Sequence, residues 1–293
     1  MRLDAHPELI LAGSSARNRR AKAQSCLRAP AEPLPSSRMK NLKKRLVAGE
    51  TLFGCWLNLG SSLTAELIGL AGFDWVLLDY EHGPGSETDL LHQLQALEHT
   101  PAAPVVRVES FERQRFHRVL DLGAEGVMCP RIKTVEEAKL AARAMRYQPA
   151  GLRGVARMIR ATQFGTGFKE YFGKGQQELV GVVQVETEEI LGSLDAVAAI
   201  DGVDVLFVGP MDLSIALGAF EQKDHPRFVD ALKKTAAAVK GAGKAAGVLL
   251  SSPNDYPFYR DLGYQLIACS ADSAFVAAGA RKALADLNAL RKK

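Results

Sequence analysis

The sequence predicts an α/β protein whose residues 39–293 fold as a single (β/α)8 TIM barrel. Three observations support this prediction: short apolar runs occur eight times, amphipathic stretches separate them, and the pattern occupies about 255 residues. A closed barrel of eight strand–helix units needs about this much chain. The chain has 293 residues, of which 47% are hydrophobic and 24% charged, so it can form a large core.

The eight apolar runs are the predicted strands. They are continuous or nearly so, as is typical of parallel strands that helices cover on both faces of a sheet. In chain order the runs are Phe53–Leu59, Trp75–Tyr80, Pro104–Val108, Gly126–Cys129, Leu179–Val185, Val203–Val208, Ala246–Leu250 and Gln265–Cys269.

Helices are predicted between these runs. Thr134 and Glu137 form a capping-box pattern at the start of one helix, and Phe228–Lys240 and Ser273–Leu290 are long and rich in Ala and Leu. The gap between the fourth and fifth runs is the longest, and it includes a glycine-rich segment at residues 151–175. A connection of that size predicts a functional loop.

Residues 1–38 are predicted to be a disordered basic tail. They are rich in Arg, Ser and Pro and hold seven basic and three acidic residues, so they carry the whole net charge of +4. Two alternatives are a mitochondrial-type presequence and a start codon assigned too early, with Met39 as the true start. The neutral body argues against nucleic-acid binding, and no apolar run is long enough for a membrane helix.

The four cysteines indicate a reducing compartment. No Cys-x-x-Cys motif or zinc-type spacing occurs among them. We therefore expect a cytoplasmic protein, with organellar import left open in case the tail is a presequence.

Charged side chains follow four of the predicted strands. They are His82, Arg107, Glu186 and Asp212. Each residue could also have a purely structural role. Asp212 could do no more than cap a helix, Arg107 could be a surface charge, and His82 could be a solvated loop residue. Because a barrel's active site forms at the carboxyl ends of its strands, the four together predict a metal-assisted site.

The residue types indicate which role each residue could have in such a site. Glu186 and Asp212 offer hard oxygen ligands, which favour Mg²⁺ or Mn²⁺ over structural zinc. The turn at residues 209–212 begins a helix, whose free N–H groups can hold a carboxylate. Arg107 can stabilise a developing oxyanion, and His82 can carry a proton near neutral pH.

Several short motifs occur together and in order along the body of the chain. They are Trp56-Leu57 with Ser61-Ser62, Ala71–Trp75, Asp79–His82, Pro104–Arg107, Tyr147–Gly154, Gln184–Thr187 and Gly209–Ser214. In this combination the chain resembles the HpcH/HpaI aldolases, the metal-dependent class II pyruvate aldolases.

The resemblance implies a reaction and a substrate site. Such enzymes reversibly cleave 2-oxo-4-hydroxy acids to pyruvate and an aldehyde through a metal-stabilised pyruvate enolate. Glu186 and Asp212 would be the ligands of a divalent ion, Mg²⁺, Mn²⁺ or Co²⁺. Gln184 and the main-chain N–H groups of Met211 and Asp212 would hold the substrate.

The resemblance also implies the proton-transfer machinery. Arg107 would stabilise the enolate and His82 would be the general base. Asp121 would raise the basicity of a histidine, acting from a neighbouring subunit of a homo-oligomer, a hexamer in the family. Besides other copies of the chain, the enzyme would bind only its small-molecule substrates, pyruvate and an aldehyde.

Some positions depart from the family pattern. Met211 stands where the family has a small residue, so it could narrow the pocket. Arg157 and Arg160 could favour an anionic acceptor or could simply be solvated, and Leu249 falls where acceptor selectivity is expected.

Two rival functions stay open. One is a CoA-ester lyase or decarboxylating relative of the same superfamily, although no nucleotide-binding motif occurs. The other is a non-catalytic metal-binding barrel. A lysine-dependent aldolase is disfavoured because none of the eight apolar runs contains a lysine.

Overall fold

Eight parallel strands close into a barrel in which neighbours follow the order of the chain and β8 pairs with β1. The computed structural model describes residues 40–291. The predicted (β/α)8 barrel is confirmed, whereas the predicted tail at residues 1–38 lies outside the described residues. The strands are β1 Leu52–Leu57, β2 Trp75–Asp79, β3 Ala103–Arg107, β4 Gly126–Cys129, β5 Val180–Val185, β6 Val205–Val208, β7 Ala245–Leu250 and β8 Tyr264–Ala271.

Helices precede the barrel and connect its strands. In chain order they are α1 Leu42–Val47, α2 Ser62–Leu70, α3 Glu87–Leu97, α4 Arg113–Leu122, α5 Val135–Ala144, α6 Phe168–Glu170, α7 Gln176–Glu178, α8 Leu194–Ala198, α9 Pro210–Ala216, α10 Pro226–Ala242, α11 Tyr256–Asp261 and α12 Asp272–Arg291. The predicted capping box of α5 is present, because the Thr134 side chain accepts from the Glu137 N–H and Glu137 accepts from the Thr134 N–H.

The inside of the barrel is filled by side chains that alternate with those facing the helices. Trp75, Trp56 and Phe207 form its aromatic centre, with ring centroids 5.5 to 6.3 Å apart. Gly54 leaves the space that Trp75 needs, since a Cβ at Gly54 would lie 2.3 Å from the indole. The interior is therefore a packed core and not a channel.

Helix α1 closes the amino end of the barrel. Its Leu42 and Leu46 are buried in the interior cluster beside Leu52 of β1. Lys43 forms an ion pair of 2.9 Å with Asp204, which also accepts a hydrogen bond from the Gly181 N–H. The apolar and charged contacts together tie α1 to the starts of β5 and β6.

The long connection between β4 and β5 is the segment predicted to be a functional loop. After α5 it runs through residues 145–179 to the start of β5, with a 3-10 turn at Arg160–Thr162 and a π-helix at Tyr171–Gly175. Arg160 donates to the carbonyl of Leu122, at the end of α4. The segment therefore lies at the amino end of the strands.

Across residues 40–291, no helix combines the length and apolar character needed to cross a bilayer.

Shortening Leu46 should destabilise the barrel. Leu46→Ala should lower the free energy of unfolding by about 2–4 kcal/mol, because it removes buried methyl groups and leaves a cavity under the barrel. Urea unfolding followed by circular dichroism measures the change. Val47→Ala is the matched control, because Val47 is the next residue of the same helix and is 76% exposed. Equal losses in both variants would contradict a closing role for α1.

Candidate active site

The ends of β2 and β3 bring an aspartate against an arginine. Asp79 and Arg107 are opposite each other in the strand register. Arg107 donates from Nε to Asp79 Oδ1 at 3.0 Å and from Nη2 to Oδ2 at 2.7 Å. Both side chains are buried, and this two-pronged geometry fixes the guanidinium plane more firmly than a single contact would.

The loop after β2 is arranged around the same aspartate. Asp79 Oδ1 accepts hydrogen bonds from the N–H groups of Glu81 at 3.1 Å and His82 at 3.3 Å. A Cβ at Gly83 would lie 2.2 Å from the Asp79 carbonyl oxygen, so the turn has room only for glycine. The loop thus holds His82 next to the arginine.

Glu81 lies between the arginine and the histidine. Its Oε2 is 2.8 Å from Arg107 Nη1 and 3.9 Å from His82 Nε2. Burial raises the pKa of Glu81, whereas the charges of Arg107 and His82 act in the opposite direction. The His82 side chain is 71% exposed, so substrate and water can reach it.

Glu186 follows β5 and is a second buried carboxylate at the rim, the edge of the barrel formed by the carboxyl ends of the strands. Its Oε1 accepts from the Arg131 N–H at 2.6 Å, and its Oε2 accepts from Nε2 of Gln184. Burial raises the pKa of Glu186 to about 7, and the negative charges of Glu81 and Asp212 act in the same direction. A cation at this carboxylate would relieve the cost of keeping it ionised.

Gly209, at the end of β6, leaves space against this carboxylate. A Cβ there would lie 2.7 Å from Gln184 Nε2 and 2.8 Å from Glu186 Oε2. Gln184 Oε1 is buried and has no hydrogen-bond partner within the described residues. A buried amide oxygen without a partner is costly, so a bound group or water is expected beside Gln184.

Asp212 and Met211 lie in the first turn of α9, directly after this glycine. Both side chains are exposed, Met211 to 61%. The Met211 side chain lines an open pocket together with Phe220 and Phe258.

The donor set fits a divalent cation. Glu186 and Asp212 are two carboxylates whose charges influence each other, and the Gly209 space lies beside one of them. Within residues 40–291 no group of three or more His, Cys, Asp and Glu side chains has metal-binding geometry. Two carboxylates alone would leave positions on an octahedral ion for substrate and water, as a catalytic ion requires.

Asp121 lies at the other end of the barrel. It is in the last turn of α4, just before β4 begins, and its Oδ1 pairs with Arg153 Nη2 at 2.6 Å. The Arg153 side chain is fully buried between the rings of Tyr147 and Tyr171, 4.7 and 5.4 Å from the guanidinium carbon. Within one chain, Asp121 is therefore not brought to His82, and its catalytic role stays a prediction that needs a second copy.

Three further positions are predicted to affect acceptor choice. Arg160 bonds to Leu122 and Glu98 at the amino end, and Arg157 lies 5.9 Å from the ring of Phe168. These arginines do not line the rim of their own chain. Leu249 packs against the interior core.

Sequence reasoning assigned no role to Asp79, Glu81 and Trp56. Asp79 and Glu81 occur in the same strand ending as His82, and that cluster was the available signal. Trp56 occurs in one of the motifs that carry the family resemblance, but its residue type indicates no role, because an aromatic residue in an apolar strand looks like any other core residue.

The chain is similar to known proteins of one enzyme family. The sequence model of the HpcH/HpaI aldolase/citrate lyase family matches residues 52–278. A hydroxypyruvate/pyruvate aldolase of Roseobacter denitrificans is 39% identical over 239 residues, covering 81% of this chain and 93% of that protein. A 5-keto-4-deoxy-D-glucarate aldolase of Salmonella arizonae is 39% identical over 244 residues, covering 83% and 94%.

A solved structure supports the same grouping. The crystal structure of a family protein from Burkholderia cenocepacia superimposes with a TM-score of 0.80 at 39% identity, covering 85% of this chain and all of that one. The predicted barrel, family and enzyme class are confirmed. The chain is an aldolase-type carbon–carbon lyase and belongs to the HpcH/HpaI aldolase/citrate lyase family.

Proposed function

We propose that this chain is a metal-dependent aldolase that reversibly cleaves 2-oxo-4-hydroxy acids to pyruvate and an aldehyde. The observation that carries the proposal is one rim holding a buried, donor-rich Arg107 and the buried Glu186 next to Asp212. The two relatives described above are named for pyruvate-type and deoxy-sugar-acid substrates, which agrees with a 2-oxo acid as the substrate class.

Glu186 and Asp212 are the proposed ligands of Mg²⁺, Mn²⁺ or Co²⁺. When bound, such an ion supplies Lewis-acid polarisation of the substrate's keto oxygen. Gln184 and the main-chain N–H groups of Met211 and Asp212 orient the substrate. The Gly209 space supports this arrangement, because a side chain there would fill the position next to Gln184 and Glu186.

Arg107 stabilises the oxyanion that develops when the carbon–carbon bond breaks. A guanidinium has five N–H donors, and three of them are used by Asp79 and Glu81. The two that remain lie inside a buried site, where donors aimed at developing charge have the largest effect on rate.

His82 transfers the proton to and from the acceptor oxygen. Its exposed ring suits exchange with solvent, and the Glu81 carboxylate lies beside it. Asp121 of a neighbouring copy is the proposed partner that increases its basicity.

A homo-oligomer, by resemblance a hexamer, is proposed as the working form. Helix α2 exposes Leu63, Leu67 and Leu70, at 76%, 68% and 65%, on one face. In α12 only Asp272 is buried, so apolar side chains such as Leu287 face solvent in the single chain. Apolar surface of this extent is typical of a subunit contact.

The proposed location is the cytoplasm. Cys55, Cys129 and Cys269 are free thiols in the described part of the chain, which suits a reducing compartment. The proposed partners are the small-molecule substrate and further copies of the chain, with no nucleic acid or membrane involved.

Variants at the rim should separate ion binding from catalysis. Glu186→Gln and Asp212→Asn should lose most Mn²⁺ binding, because each removes a charged ligand. Arg107→Lys should keep Mn²⁺ binding and release pyruvate about a hundredfold more slowly, because one ammonium cannot serve both carboxylates and the substrate. Calorimetric titration with Mn²⁺ and a coupled pyruvate assay measure the two effects.

Glu189→Gln is the control for these variants. Glu189 lies three residues after Glu186, is more than half exposed and pairs with Lys133 on the surface. It should match the wild type in both measurements. An Arg107→Lys enzyme as fast as the wild type would rule out the oxyanion role.

Chelation should abolish cleavage and borohydride should not. The eight strands contain no lysine, so the barrel interior offers no amine for a Schiff base. EDTA should remove activity, and Mg²⁺, Mn²⁺ or Co²⁺ should restore it. Borohydride with pyruvate should leave the protein mass unchanged in mass spectrometry, whereas a reduced pyruvate adduct or full activity in a metal-free sample would overturn the proposal.

A charge on the apolar face of α2 should weaken assembly. Leu67→Lys should shift the particle mass measured by light scattering towards smaller species, because burying an unpaired ammonium in a subunit contact is costly. Glu66→Gln, on the neighbouring exposed position of the same helix, should leave the mass unchanged. A wild-type protein that is monomeric at micromolar concentration would contradict the oligomer.

A further inference from the structure

An aromatic column inside the barrel ends under the guanidinium of Arg107. Trp75 stands at the start of β2, Trp56 near the end of β1, and their rings are 6.3 Å apart, edge to face. Phe207 fills the third side, 5.5 Å from Trp56. The Arg107 Cζ lies 5.6 Å from the centre of the Trp56 ring, which is 6% exposed.

The other contacts of Arg107 restrain it only through its edges. Nε and Nη2 donate hydrogen bonds to Asp79, and Nη1 forms an ion pair with Glu81. Two carboxylates can hold a planar cation while it tilts out of their common plane, and a tilt would turn the two free N–H groups away from the substrate. A ring under the guanidinium face opposes that tilt.

We propose that Trp56 is a positioning residue that acts through Arg107. The proposal rests on the aldolase function proposed above. The indole attracts the cation through its π face and excludes water from that side of the guanidinium. With one face covered and two edges paired, the remaining donors point to one place, where the oxyanion of the substrate develops.

The test measures enolisation, the step in which Arg107 is proposed to act, separately from the complete cleavage reaction. Exchange of the pyruvate methyl hydrogens with D2O, followed by proton NMR in the presence of Mg²⁺, reports enolisation without any acceptor aldehyde. Pyruvate release from a 2-oxo-4-hydroxy acid reports the complete cleavage. A loss of orientation at Arg107 should slow both by the same factor, whereas a contact with the acceptor should slow only cleavage.

Trp56→Leu should slow exchange and cleavage equally, by about two- to thirtyfold, the range of a desolvated cation–π contact expressed as a rate. The KM for pyruvate should change little, because the lost interaction belongs to the transition state. Trp56→Phe should recover part of the rate. Trp75→Phe, in the same column but without contact to Arg107, should match the wild type.

A fluorinated-tryptophan series keeps the proposal testable even if Trp56→Leu does not fold. The chain has two tryptophans, so the Trp75→Phe background leaves Trp56 as the single site for 5-fluoro- and 5,7-difluorotryptophan. Fluorine weakens the π face with little change of shape. The exchange rate should fall with each fluorine.

Three results would overturn the inference. Exchange rates that do not change on fluorination would show that Trp56 acts only through packing. An equal loss of rate in Trp75→Phe would show the same. A fall in cleavage with unchanged exchange would make Trp56 an acceptor contact. Absence of both exchange and cleavage in the metal-loaded wild type would overturn the proposed function itself, and the role of Trp56 with it.

Discussion

The buried ion pair between Arg107 and Asp79 is the constraint on which the rim depends. A buried guanidinium is stable only when its charge is matched and its donors are used, and Asp79 meets both needs with two hydrogen bonds. The same carboxylate accepts the N–H groups of Glu81 and His82, so it also sets the loop that carries the second carboxylate and the histidine. One aspartate thereby positions both Arg107, the proposed oxyanion donor, and the loop of His82, the proposed proton carrier.

The barrel supplies the rigidity that this arrangement needs. Parallel register places the ends of β2 and β3 side by side, and the aromatic centre leaves no room for the strands to shift. At the opposite end, α1 closes the interior with Leu42 and Leu46. The rim is thus the exposed edge of a packed core, and its buried carboxylate Glu186 has a raised pKa because the same core excludes water.

A buried arginine and its aspartate partner lie at the amino end of the strands. Arg153 is buried between two tyrosines and holds Asp121, which is partly exposed at the surface of the chain. This ion pair holds the Asp121 side chain at the end of the barrel opposite to the His82 of its own chain. An oligomer in which one copy presents Asp121 to the rim of another would give this end of the barrel a catalytic purpose, and the exposed apolar faces of α2 and α12 would supply the contact.

The sequence by itself determined the barrel, because eight apolar runs with turn and capping signals depend only on local patterning, and each run lies within a few residues of an observed strand. It also determined that His82, Arg107, Glu186 and Asp212 belong to one rim, because strand ends of a parallel barrel share a face. The tertiary structure alone decided which groups contact Arg107, since they come from two other segments: Trp56 from β1, and Asp79 and Glu81 from the end of β2. Only the fold could also place the long connection at the opposite end, because loop length carries no information about direction.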